Sequence, residues 1–140
     1  TKHFDNENLD LNNVKIISGE WGNKNLKDSD LKKIYCSSRL TIIPLIESTQ
    51  PSGQSVALQS ISTGTPVLIT KTKGFWDYDA YEDGKHIFFV DGNNTNAWIE
   101  KIKNTYNDLE VLEEVSSKSR EKIRENFDIK HFNFLLNSLI

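Results

Sequence analysis

The residue types best placed to do chemistry lie in one run, QPSGQSVALQSISTGTPVLITKTKGFW, residues 50–76. It opens with a loop of Pro51, Ser52 and Gly53 and continues into an amphipathic stretch beginning at Gln54. A glycine-bearing loop that opens a helix is a natural anion site. Unpaired backbone N–H groups and the positive end of the helix dipole converge there. The ligand expected is a phosphate or diphosphate.

Other reactive side chains are scattered. Two Asp-x-Asp triplets occur, Asp28-Ser29-Asp30 and Asp77-Tyr78-Asp79, and the first reads as a helix cap. His3, His86 and His131 are far apart and form no dyad in sequence, and His86 begins an apolar run as a structural residue. No His/Cys cluster has metal-ligand spacing, so no metal is expected. Cys36 reads as a small core residue of an amphipathic helix. Asn93-Asn94-Thr95 fits a glycosylation sequon but reads as a turn and cap. Lys71 and Lys73 could approach phosphates or be solvated. Phe75 and Trp76 could line a ligand crevice, face another domain, or fill the core.

The elements that would position these groups alternate. Apolar runs at residues 14–18 (VKIIS), 40–46 (LTIIPLI), 67–70 and 87–90 (IFFV) read as buried strands. Pro44 should end ladder pairing in the second, and Asp91-Gly92 should turn the chain after the fourth. Between them fall helices. One is capped by Ser29 and buries Leu31, Ile34 and Tyr35. The next covers about residues 55–62 with Val56, Leu58 and Ile61 apolar, before a turn at Gly64-Thr65-Pro66. A third is capped by Thr95 or Asn96 and carries Ile99, Ile102, Tyr106 and Leu109. A fourth spans about residues 112–126, and Phe132, Leu135, Leu136 and Leu139 form a last apolar stripe. Continuous apolar strands alternating with helices predict an α/β fold, a Rossmann-like parallel sheet covered by helices on both faces. Ligands of such sheets lie beyond the carboxyl ends of the strands.

At 140 residues, with 36% hydrophobic and 26% charged, the chain is one domain able to bury a core. No apolar run is long enough to span a membrane, and the first residues lack the apolar core of a secretion signal. The lone cysteine cannot form an internal disulfide, which points to a reducing, cytoplasmic compartment. A net charge of −3 with scattered Lys and Arg argues against a nucleic-acid domain, but not against a mononucleotide.

Taken in order, SDLKKIYCSSRLTIIPLIES, SGQSVALQSISTGTPVLIT, KGFWDY, DGKHIFFV and SREKIRENFDIKHF resemble the carboxyl-terminal, donor-binding domain of GT-B glycosyltransferases, in the retaining group related to glycogen synthase. The resemblance implies a nucleotide-sugar-binding part of a larger two-domain hexosyltransferase of polysaccharide biosynthesis. It would use a UDP- or GDP-sugar donor, a saccharide or lipid-linked acceptor and no further cofactor, with peripheral membrane association open to the full enzyme. Backbone amides at Ser52, Gly53, Gln54 and Ser55 would hold the diphosphate, Gln59 the ribose, and Gly19, Glu20 and Trp21 the base. Trp21 could equally pack against other residues.

The chain departs from the family at two places. Pro51 and Gln59, with seven residues between them, stand where the family carries a pair of glutamates. Glutamine keeps both donor and acceptor for a ribose hydroxyl; proline cannot read a sugar as a carboxylate does. Gln50 or Gln54 is a candidate substitute. The family's second domain also begins with strands and helices bearing an Arg and a Lys, which residues 1–13 do not supply. The chain therefore reads as an incomplete, truncated domain, 1–140, inactive by itself, in which VKIIS must pair directly with LTIIPLI or lose its place. A non-catalytic binding or interaction module on the same scaffold is the alternative.

Overall fold

The computed structural model describes residues 14, 15, 17, 26–75 and 78–138. Three parallel strands lie side by side in the order β1 (Thr41–Ile43), β2 (Val67–Lys71) and β3 (Phe88–Asp91). Thr41 pairs with Val67 and Leu68 with Phe88, so β2 is the central strand. Its Val67, Leu68 and Ile69 are fully buried. Each such side chain removed from water is worth about 1.5–3 kcal/mol.

Both faces of the sheet are covered, as the continuous apolar strands predict. On one face Val67, Ile69, Ile87 and Phe89 pack with Ala57 and Ile61 of α2 (Gln54–Ser62), and with Phe75 and Tyr81. On the other, Leu68, Phe88 and Val90 pack with Trp98 of α3 (Thr95–Tyr106) and with Leu112 and Val115 of α4 (Leu109–Phe127). Ile123 and Phe127, further along α4, reach the first cluster, so this helix serves both faces. α1 (Asp28–Ser37) lies against α2, and α5 (Ile129–Asn137) against α4.

Several expectations shift. Pro44 does end the ladder, and leaves β1 only three residues long. Of the run VKIIS, Val14, Lys15 and Ile17 are described and lie in no strand, and Val14 and Ile17 are exposed. A β-branched run becomes a strand only where it completes a ladder, and among the described residues β1 pairs only with β2. α1 begins at Asp28 without a side-chain cap, so Ser29 sits inside its first turn. Its buried stripe narrows to Leu31 and Tyr35, leaving Ile34 and Cys36 exposed. One wall of contact with α2 reaches only one pair of positions per turn. α3 is capped by Asn94, whose side chain accepts from Asn96 and Ala97 N–H. It buries Trp98 and Thr105, with Ile102 half-buried, while Ile99 and Tyr106 face outward. Asp108 caps α4 by accepting from Val111 N–H at 3.1 Å, so Leu109 starts a new helix instead of ending α3. On α5, Phe132 and Leu136 are exposed rather than forming a buried stripe.

No helix among the described residues is long and apolar enough to cross a membrane.

Candidate functional site at the amino end of helix α2

Between β1 and α2 the chain must reverse from strand to helix within a few residues. Gly53, the residue before α2, makes the turn with φ 81°. That left-handed conformation strains any side chain. The space is closed as well, since a Cβ there would lie 3.0 Å from Ile69 Cδ1 and 3.1 Å from Leu45 Cδ1. The helix therefore starts on bare backbone resting on the ends of β1 and β2.

A glycine at this position offers no capping side chain. The first bond into α2 is Ala57 N–H to the Gly53 carbonyl, 2.9 Å. Ahead of it, the N–H groups of Gln54, Ser55 and Val56 have no acceptor among the described residues, and the first turn carries no acid. The other helices are all answered. α1 has Asp28 and Asp30 in its first turn, α3 has Asn94, α4 has Asp108 and Glu110, and Asp128 accepts from Lys130 N–H at 2.8 Å in α5. Among the described helices α2 alone presents about half a positive charge with no protein group to meet it.

The loops around this end are tied together. Ser52 N–H donates to the Gly74 carbonyl at 3.0 Å, and Gln54 Nε2 donates to the same oxygen at 2.9 Å. The Ser52 amide is thus engaged, while the backbone N–H groups of Gly53, Gln54 and Ser55 are not, among the described residues. Gly74 has to be glycine, because a Cβ would fall 2.4 Å from the Gln50 carbonyl oxygen and 2.7 Å from that of Ser48. Lys73 N–H reaches the exposed carboxylate of Glu47 at 3.3 Å. Deeper, buried Thr70 accepts from Leu45 N–H through Oγ1 at 2.8 Å and contacts Asn93 Oδ1 at 3.2 Å. Asn93 Nδ2 donates to the Leu45 carbonyl at 2.6 Å. Sequence reading missed this junction; a threonine ending a central strand was its only signal.

Gln59 lies one turn past Ser55, about 6 Å along the axis on the same face, and is exposed. With Ser62 and Thr63 it forms one wall of a cavity of about 370 Å³, whose other wall is Asp28, Leu31, Lys32 and Tyr35 of α1. Burial raises the pKa of the Tyr35 phenol. The cavity lining mixes apolar surface with the amide of Gln59, the hydroxyls of Ser62 and Thr63 and the charges of Asp28 and Lys32.

The remaining candidates sort by burial. Phe75 is core, 1% exposed, edge-on to Phe89 at 6.3 Å between ring centres and tilted against Tyr81 at 5.8 Å. Lys71 Nζ lies 5.9 Å from the Phe89 ring centre at the end of β2, and Lys73 is exposed beside it. Pro51 and Gln50 are exposed in the loop before Gly53, whereas the Gln54 amide is held by Gly74. His86 is a loop residue whose Nδ1 accepts from Glu82 N–H at 3.2 Å, and among the described residues no hydrogen bond joins it to the amino end of α2. Gly19, Glu20 and Trp21, and also His3, Trp76 and Asp77, lie outside the described residues. Among the described residues no three His, Cys, Asp or Glu side chains converge as a metal site would require.

No family model matches the chain, and no curated protein matches it in sequence. Solved structures do match its fold. Anabaena Alr3699/HepE in complex with UDP and glucose superposes on 79% of this chain with a TM-score of 0.64 and 18% identity. The same protein with UDP alone gives a TM-score of 0.65. TarM matches 80% of the chain at 23% identity with a TM-score of 0.60. The chain spans 29% of HepE and 22% of TarM. Its fold is that of a partial GT-B, Rossmann-like half, with three parallel strands flanked by helices.

Proposed function

We propose that this chain is the nucleotide-sugar-binding part of a glycosyltransferase that moves a hexosyl group from a UDP- or GDP-sugar. The carrying observation is the open amino end of α2, the one described helix whose first-turn amides meet neither a cap nor an acid. It supports a diphosphate held by the backbone of Gly53, Gln54 and Ser55, with Val56 added and Ser52 acting through its hydroxyl. Gln59 on the same face fits a ribose contact, and the base then lies toward Gly19, Glu20 and Trp21. The fold is shared with a protein that holds UDP, which favours uridine over other bases.

In such a reaction the departing diphosphate gains charge in the transition state. Backbone N–H groups fixed by the fold stabilise that charge without reorganising. Sugar recognition falls to Gln50, because Pro51 has no side-chain acceptor and Gln54 Nε2 is engaged by the Gly74 carbonyl. The acceptor and the rest of the catalytic machinery belong to a further domain, so the chain alone binds donor without turnover.

A second reading, a non-catalytic binding module, is favoured by one observation: Pro51, exposed, replaces the expected carboxylate. NMR titration of the 15N-labelled chain with UDP, GDP and ADP tests the first reading. Saturable shifts at the Gln54, Ser55 and Val56 amides are the expected result. A folded chain that none of the three nucleotides perturbs there would overturn it.

A further inference from the structure

We propose that Thr70 and Asn93 are positioning residues for the open end of α2, acting through Leu45; this rests on reading that end as the diphosphate site. The connection is contiguous. Thr70 Oγ1 accepts from Leu45 N–H at 2.8 Å, and Asn93 Nδ2 donates to the Leu45 carbonyl at 2.6 Å. The two side chains contact each other at 3.2 Å, Thr70 Oγ1 to Asn93 Oδ1, which closes a ring around the backbone of one residue, Leu45, in the loop after β1. With its backbone held on both sides, Leu45 projects its side chain to the place where Gly53 turns. A Cβ on Gly53 would touch Leu45 Cδ1 at 3.1 Å. Leu45 is therefore the floor on which the first turn of α2 rests.

Each member has a reason to be what it is. Thr70 is 1% exposed at the end of the central strand, where a hydroxyl without a partner costs stability, so its bonds are held in place by burial. Asn93 lies just past β3 and can both donate and accept, which the ring requires. The neighbouring Asn94 caps α3, which anchors the strand-to-helix turn that carries Asn93. Three consecutive strand ends are thereby locked in one register, and the amides of Gln54, Ser55 and Val56 are aimed before any ligand arrives. Preorganised donors gain their effect from such fixed geometry, and groups that only orient a ligand-holding group commonly matter about tenfold.

The test is the preference of the chain for UDP over uridine, read by NMR shifts in Thr70→Val, Thr70→Ser and Asn93→Ala. Thr70→Val keeps shape and removes the hydroxyl, and Thr70→Ser restores it. The expected result is an about tenfold loss of the UDP-over-uridine preference in Thr70→Val and Asn93→Ala, with Thr70→Ser near the parent. A merely structural role would lower the melting temperature and leave the preference unchanged. A folded Thr70→Val or Asn93→Ala that keeps the parent preference overturns the proposal. If Thr70→Val does not fold, the exposed Asn93 carries the same test. A parent chain that binds UDP no better than uridine overturns the diphosphate reading itself, and this proposal with it.

Discussion

The two ends of α2 are built on opposite rules. At its amino end a bare glycine leaves three amides without acceptors among the described residues. At its carboxyl end almost every polar group is matched. Thr63 N–H bonds back to Gln59 and Ser60, Gly64 N–H to Ile61, and Thr65 N–H to Ser60. The Gly64 carbonyl accepts from Ser116 Oγ at 2.7 Å, and the Ser60 hydroxyl, fully buried, reaches the Thr65 carbonyl at 2.9 Å. Thr65 Oγ1 in turn donates to the Tyr35 carbonyl at 2.6 Å. A helix that is closed with this care at one end and open at the other is not short of capping residues. The open end is where an anion outside the protein is expected to finish the structure.

The contrast breaks most severely at Gly74. Gly74→Ala puts a Cβ against two backbone oxygens that have no rotamer to change, so the loop bearing Gly53 must move. A loss of about 2–4 kcal/mol in urea unfolding is expected, together with loss of UDP-induced shifts. Parental stability in Gly74→Ala would show that the two loops are not rigidly seated on each other.

At the closed end, Ser116→Ala removes one hydrogen bond to the Gly64 carbonyl. About 1 kcal/mol should be lost, with nucleotide binding unchanged. A change in UDP affinity in this variant would mean that the two ends are not independent.

Ser55→Asp separates fold from ligand at the open end. A carboxylate in the first turn of α2 should raise stability by about 0.3–1 kcal/mol while lowering UDP affinity, because it occupies the field a diphosphate would use. Stability and affinity moving in the same direction would argue against an anion site there.

The smallest effect concerns His86, which bonds to Glu82 and Ser119 and to neither end of α2. Its pKa is lowered, first by burial and then by Lys122 and Lys85. The Glu82 N–H donated to Nδ1 also needs that nitrogen unprotonated. The unfolded chain takes up the proton first as pH falls, so stability present above about pH 6.5 declines through the lowered folded value. His86→Gln should flatten that part of the stability-against-pH curve, measured by thermal unfolding. It should leave UDP binding untouched, which makes it a control for variants at α2.

Much of the site was legible because its causes are local. Gly53 before an amphipathic run marks a helix opened without a side-chain cap, and Gly64-Thr65-Pro66 marks where that helix must stop. Pro44 marked the end of β1 because a missing N–H breaks any ladder. Helix faces were less legible. Ile99 and Tyr106 have the right spacing for a buried stripe, yet Trp98 and Thr105 are the residues the sheet and α4 cover. Cys36 and Ile34 went outward because, among the described residues, α1 packs mainly on α2, which periodicity cannot report. The run VKIIS is composed like a strand, yet its described residues Val14, Lys15 and Ile17 join no ladder, because composition supplies no partner.

The sequence by itself determined the order of the elements from α1 onward, the parallel sheet covered on both faces, and the uncapped start of α2. These follow from apolar runs, turn residues and the absence of a side chain, all written within a few positions of where they act. Only the tertiary structure decided that Gly74 holds both Ser52 and Gln54, that Leu45 is gripped by Thr70 and Asn93, and that Gln59 opens onto a cavity shared with α1. Those contacts join residues 20 to 48 positions apart, apart from Gln59 and its cavity wall. No local rule reaches that far, because which loops meet depends on strand order, and strand order is settled by burying the whole sheet at once.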